Sequence, residues 1–173
     1  MIKKIVLLIF IGVFFSCENK PSNTKDLKDA SEKEAINTML DAWHKSASEA
    51  KYDAYFNAMS NTSVFIGTDA SENWSNKDFK VFSKPFFDLG KAWDFKPVKR
   101  NIYISAEGNF AWFDELLDTW MGVCRGSGVL SKTEGVWKIE HYVLSVTIPN
   151  ENITEVIATN KEKDSIFLSR LKK

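Results

Sequence analysis

Arg125, Ser127 and His141 are polar residues on two consecutive segments that we predict to be strands, and their types could build a ligand site. Residues 133–135, Thr-Glu-Gly, fit a three-residue hairpin loop with glycine in the left-handed position. That loop places Ser127 opposite His141, and because strand side chains alternate, Arg125 and Trp137 share their face. We therefore predict that these side chains line one hollow, where arginine would favour an anionic or carbonyl-bearing ligand.

A less specific interpretation of the same residues stays open. Arg125 could be a rim residue paired with Asp118 or Glu115, and His141 could be a hydrogen-bonded residue of the wall. The pattern therefore indicates a pocket more clearly than it indicates catalysis.

Asp69 and Asp114 are, with His141, the residues that could transfer a proton. Asp69 follows a predicted strand at residues 63–68 and precedes Trp74, and a desolvated carboxylate beside an aromatic ring could act as a base with a raised pKa. Alternatively, Asp69 simply caps a turn, which is the commonest role of such a residue. Asp114 lies in a segment where acidic and apolar residues alternate, and we predict that it reaches the pocket.

The sequence predicts that the protein binds neither a metal ion nor a cofactor. Its two histidines, His44 and His141, are far apart and lack the spacing of paired zinc ligands. Phosphate-loop and dinucleotide fingerprints are missing. The Arg-Gly-Ser-Gly run at residues 125–128 lacks the first glycine of a nucleophile elbow, which argues against a serine hydrolase. Beside Trp43, His44 is predicted to lie at the solvent edge of a helix.

The N-terminal residues have the pattern of an export signal. Two lysines precede an apolar run at residues 5–15, which is about half of the roughly 20 residues that a spanning helix needs. Residues 1–16 are therefore predicted to be a cleavable signal peptide. Phe-Phe-Ser-Cys at residues 14–17 resembles the lipobox of bacterial lipoproteins, in which the cysteine is acylated. We predict lipidation at Cys17, a tether over residues 17–30, and a location in the cell envelope outside the cytoplasm, with membrane contact through the anchor only.

Composition limits the remaining possibilities. The chain has 23 basic and 23 acidic residues, a balance that argues against a general nucleic-acid binder. Once Cys17 is acylated, Cys124 is the single remaining thiol, so packing rather than an intrachain disulfide must stabilise the mature protein.

The elements that must position these residues change from helical to strand periodicity along the chain. A capping box at Ser31 and Glu34 and apolar residues at helical spacing predict a first helix. Turn signals and apolar patterns then predict, in order, a helix at 53–59, a strand at 63–68, a helix ending near Gly90, strands at 93–105 and 110–121, the hairpin already described, and a C-terminal helix within 150–173.

This order of elements looks like the SnoaL-like branch of the nuclear transport factor 2 superfamily. Local motifs over residues 31–149 resemble that branch as well: Trp43; Phe65-Ile66-Gly67-Thr68-Asp69 with Glu72 and Trp74; Ala111-Trp112-Phe113; Arg125-Gly126-Ser127-Gly128-Val129-Leu130; and Trp137-Lys138-Ile139 with His141 and Ser145. The resemblance implies an α+β fold in which a cone-shaped, curved antiparallel sheet wraps around helices. It also implies a pocket at the wide end, near the loop that contains Asp69; the helix at 150–173 is an extension.

Members of this superfamily include isomerases, cyclases, dehydratases and non-catalytic association domains, so the fold leaves function open. We predict that residues 31–149 bind a small, partly apolar molecule in the cone without transforming it. The alternatives are an acid–base enzyme of the isomerase or dehydratase type and a homodimeric interaction module. The residues predicted to contact the ligand are Trp43, Asp69, Trp74, Trp112, Asp114, Arg125, Ser127 and His141.

Overall fold

The computed structural model of the chain describes residues 24–172. The predicted signal peptide, the lipidation site Cys17 and the tether up to residue 23 lie outside the described residues. The elements are, in chain order, α1 (Thr24–Ser48), α2 (Tyr52–Asn57), β1 (Met59–Ile66), β2 (Asn73–Ser75), α3 (Asn76–Asp88), β3 (Lys96–Ile104), β4 (Phe110–Thr119), β5 (Gly122–Thr133), β6 (Val136–Val146), a short 3₁₀ turn (Asn150–Asn152) and α4 (Ile153–Leu171). None of the helices in this described part is long and apolar enough to cross a membrane.

The first helix is longer than its capping box predicts. α1 begins at Thr24 rather than after Ser31, so residues 24–30 of the predicted tether are helical. Asp26 lies in the first turn, where a negative charge complements the helix dipole. The apolar stripe of the helix is confirmed, because Ile36, Leu40 and Trp43 are all buried.

The six strands form one curved, unclosed sheet in the order β2-β1-β6-β5-β4-β3. All neighbouring strands are antiparallel except β1 and β6, which are parallel. The inner face of this sheet packs against α1, α2 and α3, and the opposite face is called the outer face below. The predicted α+β fold with a curved sheet around helices is confirmed, although the sheet is not purely antiparallel.

The hairpin between β5 and β6 is one residue tighter than predicted. Thr133 pairs with Val136 across the two-residue turn Glu134-Gly135, and both turn residues have positive φ, at 52° and 82°. Two consecutive left-handed residues match the twist of the flanking strands. A bulge at Glu140 then shifts the pairing again, because Leu130 faces Ile139 whereas Val129 faces His141.

The C-terminal helix is confirmed as one unbroken element, but it does not cover the sheet. α4 contains no buried residue, and Ile153, Ile157, Ile166 and Leu168 are exposed. Polar side chains of α4, together with Ile166 and Phe167, line a groove beside the loop at residues 68–71. Most apolar residues of this helix are nevertheless exposed to solvent.

Candidate functional site

The predicted polar site lies on the outer face of the sheet. Asp114 pairs directly with Ser127 between β4 and β5, and Val129 lies between Trp112 and His141 in the next row. Arg125 is exposed and pairs with Leu116 and Ser145. The structure thus brings the predicted residues together, but on the face directed away from the helices.

The prediction that Arg125, Ser127, His141 and Trp137 turn toward one hollow is therefore wrong. A one-residue shift in register moves every side chain of a strand to the other face. The tight turn and the bulge at Glu140 have this effect, so that only Trp137 of the four faces inward. Its indole Nε1 donates a hydrogen bond to Glu32 on α1 over 2.9 Å.

Asp69 and the tryptophans have more ordinary roles than the ligand prediction gave them. Asp69 is exposed and its Oδ1 accepts hydrogen bonds from the backbone and the hydroxyl of Ser71, so it caps a turn. The hydroxyl hydrogen bond, followed by the backbone one, lowers the pKa of Asp69. Trp43 is buried and stacks on Tyr55, whereas Trp112 stacks on Tyr103 at the outer face.

A buried polar cluster that the sequence did not predict connects α1 to the sheet. We call it the Glu115 cluster, and it consists of His44, Arg100, Glu115 and Tyr142. Glu115 Oε1 accepts hydrogen bonds from His44 Nε2 over 2.7 Å and from the Tyr142 hydroxyl over 2.9 Å. Arg100 Nε donates to Oε2 over 2.8 Å, and Nη2 lies 2.8 Å from the same oxygen as an ion-pair contact. Both carboxylate oxygens are therefore fully engaged.

The charges of the cluster hold Glu115 ionised. Burial by itself raises the pKa of Glu115, but the hydrogen bond and charge of His44 and then the charge of Arg100 outweigh it, so the net shift is downward. Burial, and after it the negative charge of Glu115, raises the pKa of the Tyr142 hydroxyl well above its ordinary value. Because Glu115 can only accept hydrogen bonds when ionised, His44 Nε2 must carry a proton.

Two features of the sequence could have indicated this cluster. His44 follows Leu40 by four positions and Ile36 by eight, so it belongs to the buried stripe of α1; it is 3% exposed, and the predicted solvent-edge position was wrong. Glu115 alternates with the inner-face residues Phe113 and Leu117 in β4. A charge at such a position needs a partner, and Arg100 supplies it from the paired residue of β3.

Glycines in β5 make room for the cluster. Gly126 faces inward, and a Cβ added to it would come within 2.2 Å of the Tyr142 hydroxyl and 2.9 Å of Glu115 Oε1. At Gly128, a Cβ would come within 2.6 Å of the His141 carbonyl oxygen and 2.7 Å of the Phe113 ring. The Arg-Gly-Ser-Gly run therefore serves close packing of the sheet interior.

Outside the cluster, a cleft of about 440 Å³ opens between α1 and β3. We call it the α1–β3 cleft. His44 and Arg100 lie at its wall, with Asp41 and Lys45 at the α1 side. Arg100 Nη1 donates to Asp41 and to Asn37 there, over 2.8 Å and 2.6 Å, so most of its hydrogen-bonding capacity is used.

The aromatic cavity is a second opening, of about 210 Å³, between α3, the ends of β1 and β6, and the segment after α3. Its aromatic lining consists of Phe65, Phe79, Phe82, Phe86, Trp93, Phe95 and Trp120. Thr68 and Glu72 from the loop after β1 complete the rim, and Glu72 is the one charged side chain in the lining. The loop expected at the mouth is thus present, but Glu72 rather than Asp69 faces the cavity. Trp74 was predicted to contact the ligand, but its ring stacks on that of Phe82 with the ring centres 4.7 Å apart.

The segment between α3 and β3 separates the two openings. Phe95 lines both the aromatic cavity and the α1–β3 cleft, and its ring lies 6.4 Å from that of His44. The backbone N–H of Ala92 donates to the Ala47 carbonyl, which fixes this segment to the end of α1. Among residues 24–172, no three histidine, cysteine or acidic side chains come together in a way that could hold a metal ion.

Comparison with known families agrees with this architecture. The family model of the SnoaL-like domain matches residues 36–149, which is more than half of the chain. The chain therefore belongs to the SnoaL-like domain family. No curated protein sequence matches it.

Solved structures show the same fold at low sequence identity. An NTF2-like protein of unknown function from Pseudomonas putida KT2440 has a TM-score of 0.58 and 13% identity, over 72% of this chain and 92% of that one. A dehydratase candidate of the NTF2-like family from Streptomyces avermitilis has a TM-score of 0.60 and 8% identity, over 70% of this chain and 99% of that one. An NTF2-like protein from Cytophaga hutchinsonii has a TM-score of 0.55 and 12% identity, over 66% of this chain and 98% of that one.

Proposed function

We propose that this protein is a lipid-anchored domain of the cell envelope that binds a small, largely apolar molecule in the aromatic cavity. The observation that carries the proposal is the lining of that cavity, where seven aromatic side chains surround an open volume of about 210 Å³. Ligand sites are typically concave and mostly apolar, with few polar groups. A volume somewhat below the usual range favours a molecule of one or two rings.

Exposure of the rim residues supports the same proposal. Trp120 is 82% exposed, and Phe82 and Phe86 are more than one-third exposed, although all three border the cavity. Large apolar side chains around one opening leave apolar surface in water that a ligand would cover. The aromatic cavity therefore has an open volume, and a ligand in it would bury apolar surface that is otherwise exposed to water.

Native mass spectrometry of protein released gently from membranes tests the proposal, because a bound molecule adds a discrete mass. Titration with 3-propylindole, followed by saturation-transfer NMR, measures the affinity of an added neutral ring. Phe86→Ala should weaken that binding, whereas Val81→Ala, an exposed α3 residue outside the lining, should not. Absence of both a retained molecule and probe binding would refute the proposed function.

The predicted envelope location has its own test. Acylation of Cys17 predicts that the protein incorporates labelled palmitate and fractionates with membranes, and that Cys17→Ala abolishes both. Incorporation that is unchanged in the variant would rule out Cys17 as the anchor.

The pair of His44 and Glu115 favours a second candidate function, general acid–base chemistry. Glu115 fixes the imidazole through Nε2, and the ring lies at the wall of the α1–β3 cleft, so Nδ1 is the nitrogen left to exchange a proton with a molecule there. Proton exchange next to a carbonyl, followed by NMR in D₂O over a panel of small ketones, would detect the activity. Loss of exchange in His44→Gln, but not in Lys33→Gln, an exposed α1 residue outside the cleft, would support it; no exchange by the wild type would refute it.

A second copy of the chain is the partner that we propose for the outer face. Tyr103, Trp112 and Val129 form one row across β3, β4 and β5, and each is more than one-third exposed. Light scattering should give the mass of a homodimer, and Trp112→Lys should convert it to a monomer, whereas Val81→Lys on α3 should not. A wild-type monomer at micromolar concentration would refute this assembly.

A further inference from the structure

The charge of the aromatic cavity narrows the class of ligand. This inference rests on the proposed function, because it concerns the same cavity. We propose that the cavity selects a molecule with a flat, apolar body and one ammonium group directed at Glu72. Every other residue of the lining is apolar or uncharged, so Glu72 alone gives the site a charge preference.

Glu72 is held in place by the loop that follows β1. Its Oε2 accepts a hydrogen bond from the Asp69 backbone N–H over 3.2 Å, and its own N–H donates to the Asp69 carbonyl over 2.9 Å. Its carbonyl accepts from the Gly67 N–H over 3.0 Å. A carboxylate fixed through both its backbone and one oxygen loses little further freedom when it binds a cation.

Gly67 sets the position of this carboxylate. A Cβ added to Gly67 would lie 2.1 Å from Glu72 Oε2 and 3.1 Å from Glu72 Cβ. The carboxylate therefore rests directly against the Gly67 backbone, in a space that any larger residue would occupy. Since the φ of Gly67 is not in the left-handed region, alanine there would displace Glu72 without straining the loop backbone.

The charge of Glu72 is not neutralised within the domain. None of the ion pairs among the described residues includes it. An unpaired carboxylate at the edge of an apolar volume attracts a cation more strongly than one in open water, because the surroundings are less polarisable. An ammonium group on the ligand would supply the missing charge.

The aromatic walls provide apolar surface for the body of the ligand. Phe65 stacks on Phe79 with ring centres 4.1 Å apart and an angle of 11° between the rings, and Phe79 stacks on Trp93 at 5.8 Å and 28°. Rings stacked in this way cover part of one another's faces, and the edge of an aromatic ring is the positive end of its quadrupole. The preference for a cation over an anion therefore rests on Glu72 at the rim.

Three indoles with tails of similar length test this proposal: tryptamine carries an ammonium, 3-propylindole is neutral, and indole-3-propionate carries a carboxylate. Wild-type protein should bind tryptamine roughly tenfold more tightly than 3-propylindole, and the carboxylate most weakly. Glu72→Gln should remove the advantage of tryptamine while leaving 3-propylindole unchanged. Gly67→Ala, which keeps the charge but moves it, should reduce the advantage. Glu107→Gln, an exposed acid in the β3–β4 turn, is the matched control and should have no effect.

The outcomes separate this inference from the proposed function. The ammonium proposal is overturned if 3-propylindole binds and tryptamine binds no better, or if Glu72→Gln keeps the preference for tryptamine. In either case the proposed binding of an apolar molecule in the cavity is retained. If no indole binds and no molecule is retained on purification, the proposed function itself fails. Circular dichroism of each variant shows whether it is folded before its affinity is measured.

Discussion

The Glu115 cluster and the aromatic cavity both lie between the helices and the inner face of the sheet. They differ in how many of their side chains are buried and paired with partners inside the domain. In the cluster, both oxygens of Glu115 accept hydrogen bonds, and the side chains of its partners are almost fully buried. In the aromatic cavity, large rings border an open volume and Glu72 has no cation partner among the described residues. We therefore expect the cluster to contribute mainly to the stability of the fold and the aromatic cavity to contribute mainly to ligand binding.

The largest expected effect comes from removing Glu115. Glu115→Leu should lower the free energy of unfolding by about 3–5 kcal/mol, because Arg100 and His44 would be left buried without their counter-charge. Urea denaturation measures the loss. Asp118→Asn, an exposed acid on the same strand, should change it by no more than about 0.5 kcal/mol. If the two variants were equally stable, the cluster would not be the stabilising region.

A smaller loss is expected when the space for the cluster is filled. Gly126→Ala should destabilise the protein by about 1–3 kcal/mol, because the added methyl group would displace the Tyr142 hydroxyl and Glu115 Oε1. Ser127→Ala, the next residue on the outer face, is the control. Thermal unfolding of the two variants compares them, and a Gly126→Ala protein as stable as the control would show that the cluster adapts without cost.

The pH dependence of stability should follow from the same carboxylate. The folded pKa of Glu115 is lower than its ordinary value of 4.5, so its contribution is fully present above that value and is lost as pH falls through the folded pKa. Stability of Glu115→Gln should therefore decline less steeply than wild type in acid. Urea midpoints over a series of pH values measure the two slopes, and parallel curves would contradict the assigned shift.

The smallest effect on stability, and the clearest effect on binding, is expected at the rim of the cavity. Phe86→Ala should lower the free energy of unfolding by only about 1 kcal/mol, because its ring is partly exposed. Affinity for 3-propylindole should nevertheless fall severalfold. If Phe86→Ala lost stability but kept full affinity, the Phe86 ring would belong to the core. The contrast between a stabilising cluster and a ligand-binding cavity would then be weaker.

Much of the fold could be predicted from periodicity, whereas the position of the site depended on two one-residue shifts in the pairing of β5 with β6. The helical spacing of Ile36, Leu40 and Trp43 is a local pattern, and it is confirmed. The β5–β6 turn could not be settled locally, because Glu134 adopts a left-handed conformation that is uncommon for glutamate, and the bulge at Glu140 has no turn signal.

The Glu115 cluster was missed for a different reason. His44 and Glu115 are separated by 71 positions in the sequence, so only the tertiary fold brings them together. Alternation in β4 shows that Glu115 is on the inner face only when the register of the sheet is known. Contacts of this kind depend on topology, which a single sequence constrains weakly.

The early start of α1 has a consequence for where the protein would work. With the helix beginning at Thr24, six residues separate it from Cys17. At about 3.3–3.6 Å per residue, a segment of this length reaches at most about 22 Å. Acylated at Cys17, the protein would stay close to the lipid headgroups, where poorly water-soluble amines concentrate in membranes of negative surface charge.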